Sequence, residues 1–212
     1  ESRFFICSTG PLSQPRWPDI PGLDHFRGER LHSARWDHGV PLQGRRVGVI
    51  GTGSTAVQLI PPGCHVFVGT ACATPRTLIR ALEQVRFTPP DVELIHFLTT
   101  DSIAHDGTGA PTTRYRHRCF FVGTDMREAV KRGLAEYLPV SIAAVPELFN
   151  IGRFPLDVAF IQCTPPDRFG YVSLGVSVDI VMAAVQNARL VIAEVVPDMP
   201  WTMGHSTIHE SQ

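Results

Sequence analysis

The chain has 212 residues, 43% of them hydrophobic and 18% charged, with a net charge of −1. That balance is globular rather than disordered, and near-neutrality argues against nucleic acid or an anionic membrane surface as the main partner. Glycine and proline, 18 of each, exceed the usual combined share of about 12%, so many turns are expected.

The five cysteines (Cys7, Cys64, Cys72, Cys119 and Cys163) stand far apart with no C-x-x-C pair. They form neither a disulfide framework nor a zinc ligand set, which fits a reducing, cytoplasmic setting and no metal. No apolar run reaches the ~18–20 residues of a membrane helix. No signal-peptide pattern opens the chain, which starts at Glu1 directly before a strand-like run, Arg3 to Cys7. A piece of a longer polypeptide is the expectation.

Taken in chain order, residues 1–62 are loop-rich, punctuated by Pro11, Pro15, Pro18, Pro21 and Pro41 around two apolar strands at 3–7 and 46–50. Texture changes near Pro61-Pro62-Gly63. The first segment carries seven cations and five acids, the second twelve and fifteen. From 63 onward strands are predicted at 65–69, 92–98, 118–122, 137–142, 157–163 and 190–195. Helices are predicted at 75–84, 125–133 and 179–189, the last with apolar residues at helical spacing and Asp179 as N-cap. Alternating strands and helices predict an α/β fold: an open, mainly parallel sheet with flanking helices, preceded by a partial dinucleotide-binding segment. Two domains are expected, 1–62 and 63–212.

The first chemical signal follows the strand at 46–50. Gly51-Thr52-Gly53-Ser54-Thr55-Ala56 is a G-x-G-x-x-A turn. Gly51 allows the tight turn, Gly53 lets backbone approach a pyrophosphate, and Ala56 keeps the next helix close to the strand. The context is half complete. The helix meets Pro61-Pro62-Gly63 after about two turns, and no Asp or Glu lies between Asp37 and Glu83 to hold a ribose. Upstream stands Phe26-x-Gly28-x-x-x-His32-x-x-x-Trp36. With the glycine turn, this resembles the fingerprint of Baeyer–Villiger flavin monooxygenases. The resemblance covers about residues 1–62 and implies NADPH binding at Gly51, Gly53 and Ala56, with His32 beside them. The FAD-binding glycine motif of that family is absent from this sequence, so NADP and FAD belong only to the alternative reading.

The second signal is distributed. Gly63 to Pro75 reads as a strand, a small-residue turn Gly69-Thr70-Ala71, and a proline-started helix. Gly152-Arg153-Phe154-Pro155-Leu156-Asp157 follows, then Thr164-Pro165-Pro166-Asp167, then Val191-Ile192-Ala193-Glu194-Val195 running to Pro197-Asp198-Met199-Pro200. Together these resemble the N-terminal domain of the acetyl-CoA hydrolase/transferase family, which includes 4-hydroxybutyrate CoA-transferases, over residues 63–209. In an open α/β sheet ligands bind beyond the carboxyl ends of strands, where Gly69, Thr70, Ala71, Pro165, Pro166 and Glu194 fall. Read singly, each is ordinary turn chemistry, and Asp167 need only cap a rigid Pro-Pro turn.

What the resemblance implies is transfer of CoA between carboxylic acids. A glutamate attacks an acyl-CoA thioester, CoA thiolate returns to make a glutamyl-CoA thioester, and a second carboxylate takes up the CoA; water as acceptor gives hydrolysis. In that family the nucleophilic glutamate belongs to a second, C-terminal domain, so no catalytic residue is expected in this chain and Glu194 is a supporting one. Coenzyme A then enters as substrate, no other cofactor is required, and the partners implied are an acyl-CoA, a small carboxylic acid, a C-terminal CoA-transferase domain and a homo-oligomer. The sequence departs from the family pattern at Phe169, Val196, Trp201 and His205, which predicts altered acyl binding. The cluster Arg114-Tyr115-Arg116-His117-Arg118 reads as a solvated strand edge with an option on CoA phosphates. His105-Asp106 and the pair His205 and His209 are poor metal candidates.

Overall fold

The computed structural model describes residues 4–8, 29–32, 47–51, 56–85 and 89–209. Three short strands come first: β1 (Phe4–Ser8), β2 (Glu29–His32) and β3 (Val47–Gly51). A 3-10 turn at Val57–Leu59 leads to β4 (His65–Val68), a second such turn at Ala71–Ala73, and helix α1 (Arg76–Gln84). Then follow β5 (Glu93–His96), the small hairpin β6 (Ala104–His105) and β7 (Pro111–Thr112), β8 (Arg116–Cys119) and α2 (Thr124–Lys131). The remainder is β9 (Ala135–Tyr137), α3 (Val145–Asn150), β10 (Val158–Cys163), β11 (Tyr171–Ser173), α4 (Val181–Asn187), β12 (Leu190–Val195) and β13 (Thr207–His209).

Among the described residues the main sheet has nine strands in the order β2-β1-β3-β12-β10-β4-β5-β8-β9. Every pairing in it is parallel. Parallel sheets need cover on both faces, and the side-chain alternation delivers it. Val66, Val68, Leu94, Val158, Phe160 and Ile192 point to one face and pack under Leu78, Ile79 and Leu82 of α1. Phe67, Ile95, Ala159, Ile161 and Val191 point to the other, against Val145 and Phe149 of α3 and Ala184 and Val185 of α4. Ala56, Val57 and Ile60 are buried in the first of these clusters.

The α/β class and parallel sheet are as the sequence predicts, with local shifts. The strand predicted at 118–122 runs at Arg116–Cys119, because its buried face is carried by His117 and Cys119 rather than by an apolar run. It is not an edge: β5 and β9 flank it. The strand predicted at 137–142 runs at Ala135–Tyr137 and gives way to a 3-10 turn at Ile142–Ala144. Helix α4 begins at Val181 with Ile180 at the N-cap, so the expected capping residue, Asp179, stands one place before it, where its Oδ1 accepts the Val181 N–H (3.2 Å).

Candidate functional site

The carboxyl ends of β3, β12, β10, β4 and β5 lie side by side and form one rim. Most sequence-nominated residues fall along it. Gly51 ends β3, Glu194 sits one residue before the end of β12, and Thr164-Pro165-Pro166 leaves β10. Gly69-Thr70-Ala71 leaves β4. His32 ends β2, opposite Cys7 in register. Gly53 lies outside the described residues. Ala56 is fully buried.

The turn after β4 is pinned from several directions. Gly69 donates its N–H to the Phe160 carbonyl (2.8 Å) and Ala71 to the Leu98 carbonyl (2.6 Å). A side chain at Gly69 would meet the Phe160 oxygen at 3.1 Å and the Ala73 oxygen at 3.2 Å. Glycine here lets β4 close on β10. Thr70 is fully buried and donates its hydroxyl to Asp179 Oδ2 at 2.6 Å. Ala71 adopts φ +49°, a left-handed conformation that non-glycine residues take rarely. Thr74 and Thr100 both give their hydroxyls to the Ala71 carbonyl (2.7 and 3.2 Å). With both N–H groups engaged inside the fold, Gly69 and Ala71 offer a ligand shape rather than backbone donors.

Glu194 does something the sequence alone did not disclose. Helix α1 starts after Pro75, which has no side-chain acceptor, and its first turn holds no acid. Its free N–H groups must be satisfied from elsewhere. Glu194 supplies the cap across 117 residues: Oε2 accepts the Thr77 N–H and Oε1 the Thr77 hydroxyl, both at 3.0 Å. Gln162 on β10 donates to Oε1 at 3.1 Å. The carboxylate sits at the positive end of the helix dipole, where a negative charge is stabilising. Glu194 therefore ties β12, β10 and the start of α1 together, where the Gly69–Pro75 turn enters the helix. Thr77 and Gln162 were not nominated from sequence; a proline-started helix without an early acid is the signal that calls for such a partner.

Around the rim, three loops interlock. Cys72 Sγ lies 3.9 Å from Ser177 Oγ. Ser173 Oγ accepts from the N–H groups of Gly175 (3.1 Å) and Thr202 (3.2 Å), and Thr202 donates its hydroxyl to the Gly175 carbonyl (2.9 Å). Gly175, at φ +61°, has the Met199 side chain packed directly against it, so a Cβ there would force Met199 to move. Pro165 and Pro166 are half-buried. Asp167 Oδ1 accepts the N–H groups of Phe169 (2.8 Å) and Tyr171 (2.9 Å), a capped rigid turn. Of the divergent positions, Phe169, Trp201 and His205 are exposed, and Val196 donates its N–H to the Cys163 carbonyl (2.9 Å).

The remaining constellations make contacts within the fold. Arg114 donates to the Val85 carbonyl (3.1 Å) and Arg116 to the Asp91 carbonyl (3.2 Å). Arg118 bridges Glu93 (3.1 Å) and Glu136 (2.9 Å). Asp106 caps the β6–β7 hairpin by accepting from Thr108 and Ala110, and those bonds hold its carboxyl below the usual range. His209 Nε2 lies 2.9 Å from the Phe169 carbonyl. Among the described residues no group of three or more His, Cys, Asp or Glu is placed to hold a metal ion, and no helix is long and apolar enough to cross a membrane.

A parallel sheet with a loop rim at its carboxyl edge is a common plan, so the decision comes from comparison. Residues 50–211 match the acetyl-CoA hydrolase/transferase N-terminal domain. The chain belongs to that family. Its sequence is 38% identical over 160 residues to the 4-hydroxybutyrate coenzyme A transferase of Clostridium kluyveri, a match covering 76% of this chain and 37% of that protein. Among solved structures, RipA from Yersinia pestis superposes with a TM-score of 0.64 at 28% identity, covering 76% of this chain and 39% of that one. The acetyl-CoA hydrolase/transferase domain here thus spans little more than a third of the length of such relatives. A shorter stretch has a second affinity: 56 residues are 59% identical to a Baeyer-Villiger monooxygenase of Streptomyces coelicolor, 26% of this chain and 11% of that protein.

Proposed function

We propose that this chain is the N-terminal half of an acyl-CoA:carboxylate CoA-transferase or acetyl-CoA hydrolase, joined in a gene fusion to a piece of flavin monooxygenase. The observation that carries the reading is the family match over 50–211, with the rim of Gly69–Ala71, Pro165–Pro166 and Glu194 at the carboxyl edge of the matched sheet. CoA is the substrate, and no further cofactor takes part. The nucleophilic glutamate comes from a C-terminal domain beyond this chain. Glu194 is unsuited to that role because Thr77 and Gln162 occupy its oxygens; it positions the turn instead. Large apolar side chains left exposed at strand carboxyl ends fit a covering domain: Leu98 after β5, Phe121 after β8, and Tyr137 and Leu138 at the end of β9.

A second reading, a fragment of an NADPH- and FAD-dependent monooxygenase, draws on the 59% identity of the short stretch. Calorimetric titration of the full chain with acetyl-CoA, and in parallel with NADPH, separates the two. Heat with acetyl-CoA alone supports the transferase reading. Heat with NADPH alone overturns it in favour of a working Gly51–Ala56 turn. Silence with both identifies a folded remnant and removes the enzymatic reading from this chain.

A further inference from the structure

At the β5 end of the sheet, beneath its surface loops, β5 and β8 bury an unbroken polar chain. His96 is fully buried and His117 is 2% exposed. Their rings lie nearly parallel at 11°, with His96 Nε2 2.9 Å from His117 Nδ1. His96 Nδ1 is 3.3 Å from Thr99 Oγ1, and Thr99 Oγ1 is 2.8 Å from Ser102 Oγ. Ser102 gives its hydroxyl to Asp125 in a short hydrogen bond and its N–H to the same oxygen at 2.9 Å. At the other end His117 Nε2 is 2.7 Å from Thr113 Oγ1.

The carboxylate fixes the direction of the whole chain. An ionised carboxyl only accepts. Ser102 donates to it, so Ser102 accepts from the Thr99 hydroxyl. Thr99 then accepts from His96 Nδ1–H, leaving His96 Nε2 to accept from His117 Nδ1–H. His117 Nε2 in turn accepts from the Thr113 hydroxyl. Both imidazoles are therefore neutral Nδ1–H tautomers, and each ring has its one acceptor nitrogen filled. An added proton can be relayed, because Thr113 can turn its hydroxyl to the Tyr115 carbonyl 3.1 Å away, but it leaves a positive charge on a ring that is at most 2% exposed, which burial disfavours.

We propose that this chain is an acid-sensitive latch, which holds β8 and β9 on the sheet while both histidines are neutral and releases them when one is protonated. Burial pushes both histidines down, His117 from 6.5 to about 4, and the neighbouring His117 ring lowers His96 further. The surrounding ionisable groups do not offset this. Asp125 on α2 already accepts from Ser102, and Cys119 on β8 has its thiol pushed up to about 12 by burial and Asp125. On the α1 side, burial raises the Glu83 carboxyl while Arg114 lowers it. Glu93 and Arg118 pair with each other on the opposite face of β5 and β8. The sign follows: protons bind the opened state better, so closure is fully favoured above about pH 6.5 and erodes as pH falls toward 4.

Amide hydrogen exchange on the full chain at about pH 7 and about pH 4.5, expressed as protection factors, tests this. One such histidine gives a roughly 50–100-fold loss of protection at the lower pH. The loss is expected in residues 116–120 and 135–138 and not in β10 or β12. Uniform loss over all strands, or none, overturns the latch. Because His96 alone would still titrate, the double variant His96→Asn/His117→Asn should abolish the local pH dependence; a folded double variant that keeps it also overturns the proposal. Nitrogen-15 NMR of the imidazoles needs no variant to fold: finding either buried ring as the Nε2–H tautomer at neutral pH breaks the derivation at its root.

Discussion

The two flanks of β12 differ sharply. Toward β10 it runs in register for six pairs, from Val158↔Leu190 to Cys163↔Val195. Toward β3 it shares one pair, Glu194↔Val49. Yet β3 itself is fully registered with β1, from Phe4↔Val47 to Ser8↔Gly51. Two parallel patches thus share a single registered pair, although β3 and β12 lie close together. On the fusion reading proposed above, the difference accounts for how an added segment sits beside the family domain. The edge of a sheet offers unpaired backbone groups to any strand of matching direction, so an added patch need not disturb the interior packing.

Breaking the interior should dwarf breaking the joint. Phe160 on β10 is fully buried in the cluster beneath α1. Phe160→Ala is expected to lower stability by about 3–5 kcal/mol, seen as a large drop in the urea midpoint of the single main transition. Val49→Pro puts a residue without an N–H into the strand between β1 and β12. There the expected outcome is local: lost amide protection in β1 and β3, with β10 protection and the main urea midpoint unchanged. If Val49→Pro collapses β10 as well, the two patches form one cooperative unit and the contrast fails.

Much of this layout is legible in the sequence, because β4, β10 and β12 are largely apolar runs, as strands covered on both faces must be. The chain's polar architecture is not. β8 alternates arginine and histidine, so no apolar period marks it as an interior strand; its buried face depends on His96, 21 residues earlier. The short helix α3 carries only two buried residues, Val145 and Phe149, too few for a helical period to stand out. At the rim, Glu194 was legible as a strand-end carboxylate, and Pro75 as a helix start. Their connection was not, since Thr77 and Glu194 meet only once the sheet has ordered β12 beside β10 and β4.

That connection supplies the next smaller effect. Glu194→Ala removes both acceptors of Thr77 and should cost about 0.5–2 kcal/mol, in the range of a lost helix cap. Glu194→Gln keeps an acceptor and removes the charge, so about 0.3–1 kcal/mol is expected. Urea unfolding of the two variants checks the order. Equal losses would mean that the charge, and not the hydrogen bonds, holds the α1 terminus.

The smallest effect is chemical rather than energetic, and it separates rim from interior thiol by thiol. Cys64, Cys119 and Cys163 are buried, and burial pushes each thiol up to about 12. Near pH 8 only about one in ten thousand of each is thiolate, the reactive form. Cys72, on the turn after β4, is exposed. Iodoacetamide at that pH, followed by peptide mass spectrometry, should modify Cys72 while the buried three stay intact until urea is added. Acetyl-CoA seated on the Gly69–Ala71 turn would slow the labelling of Cys72 and leave its rate in urea unchanged. Labelling that acetyl-CoA does not slow would move the acyl-CoA site away from this turn, even if calorimetry shows binding.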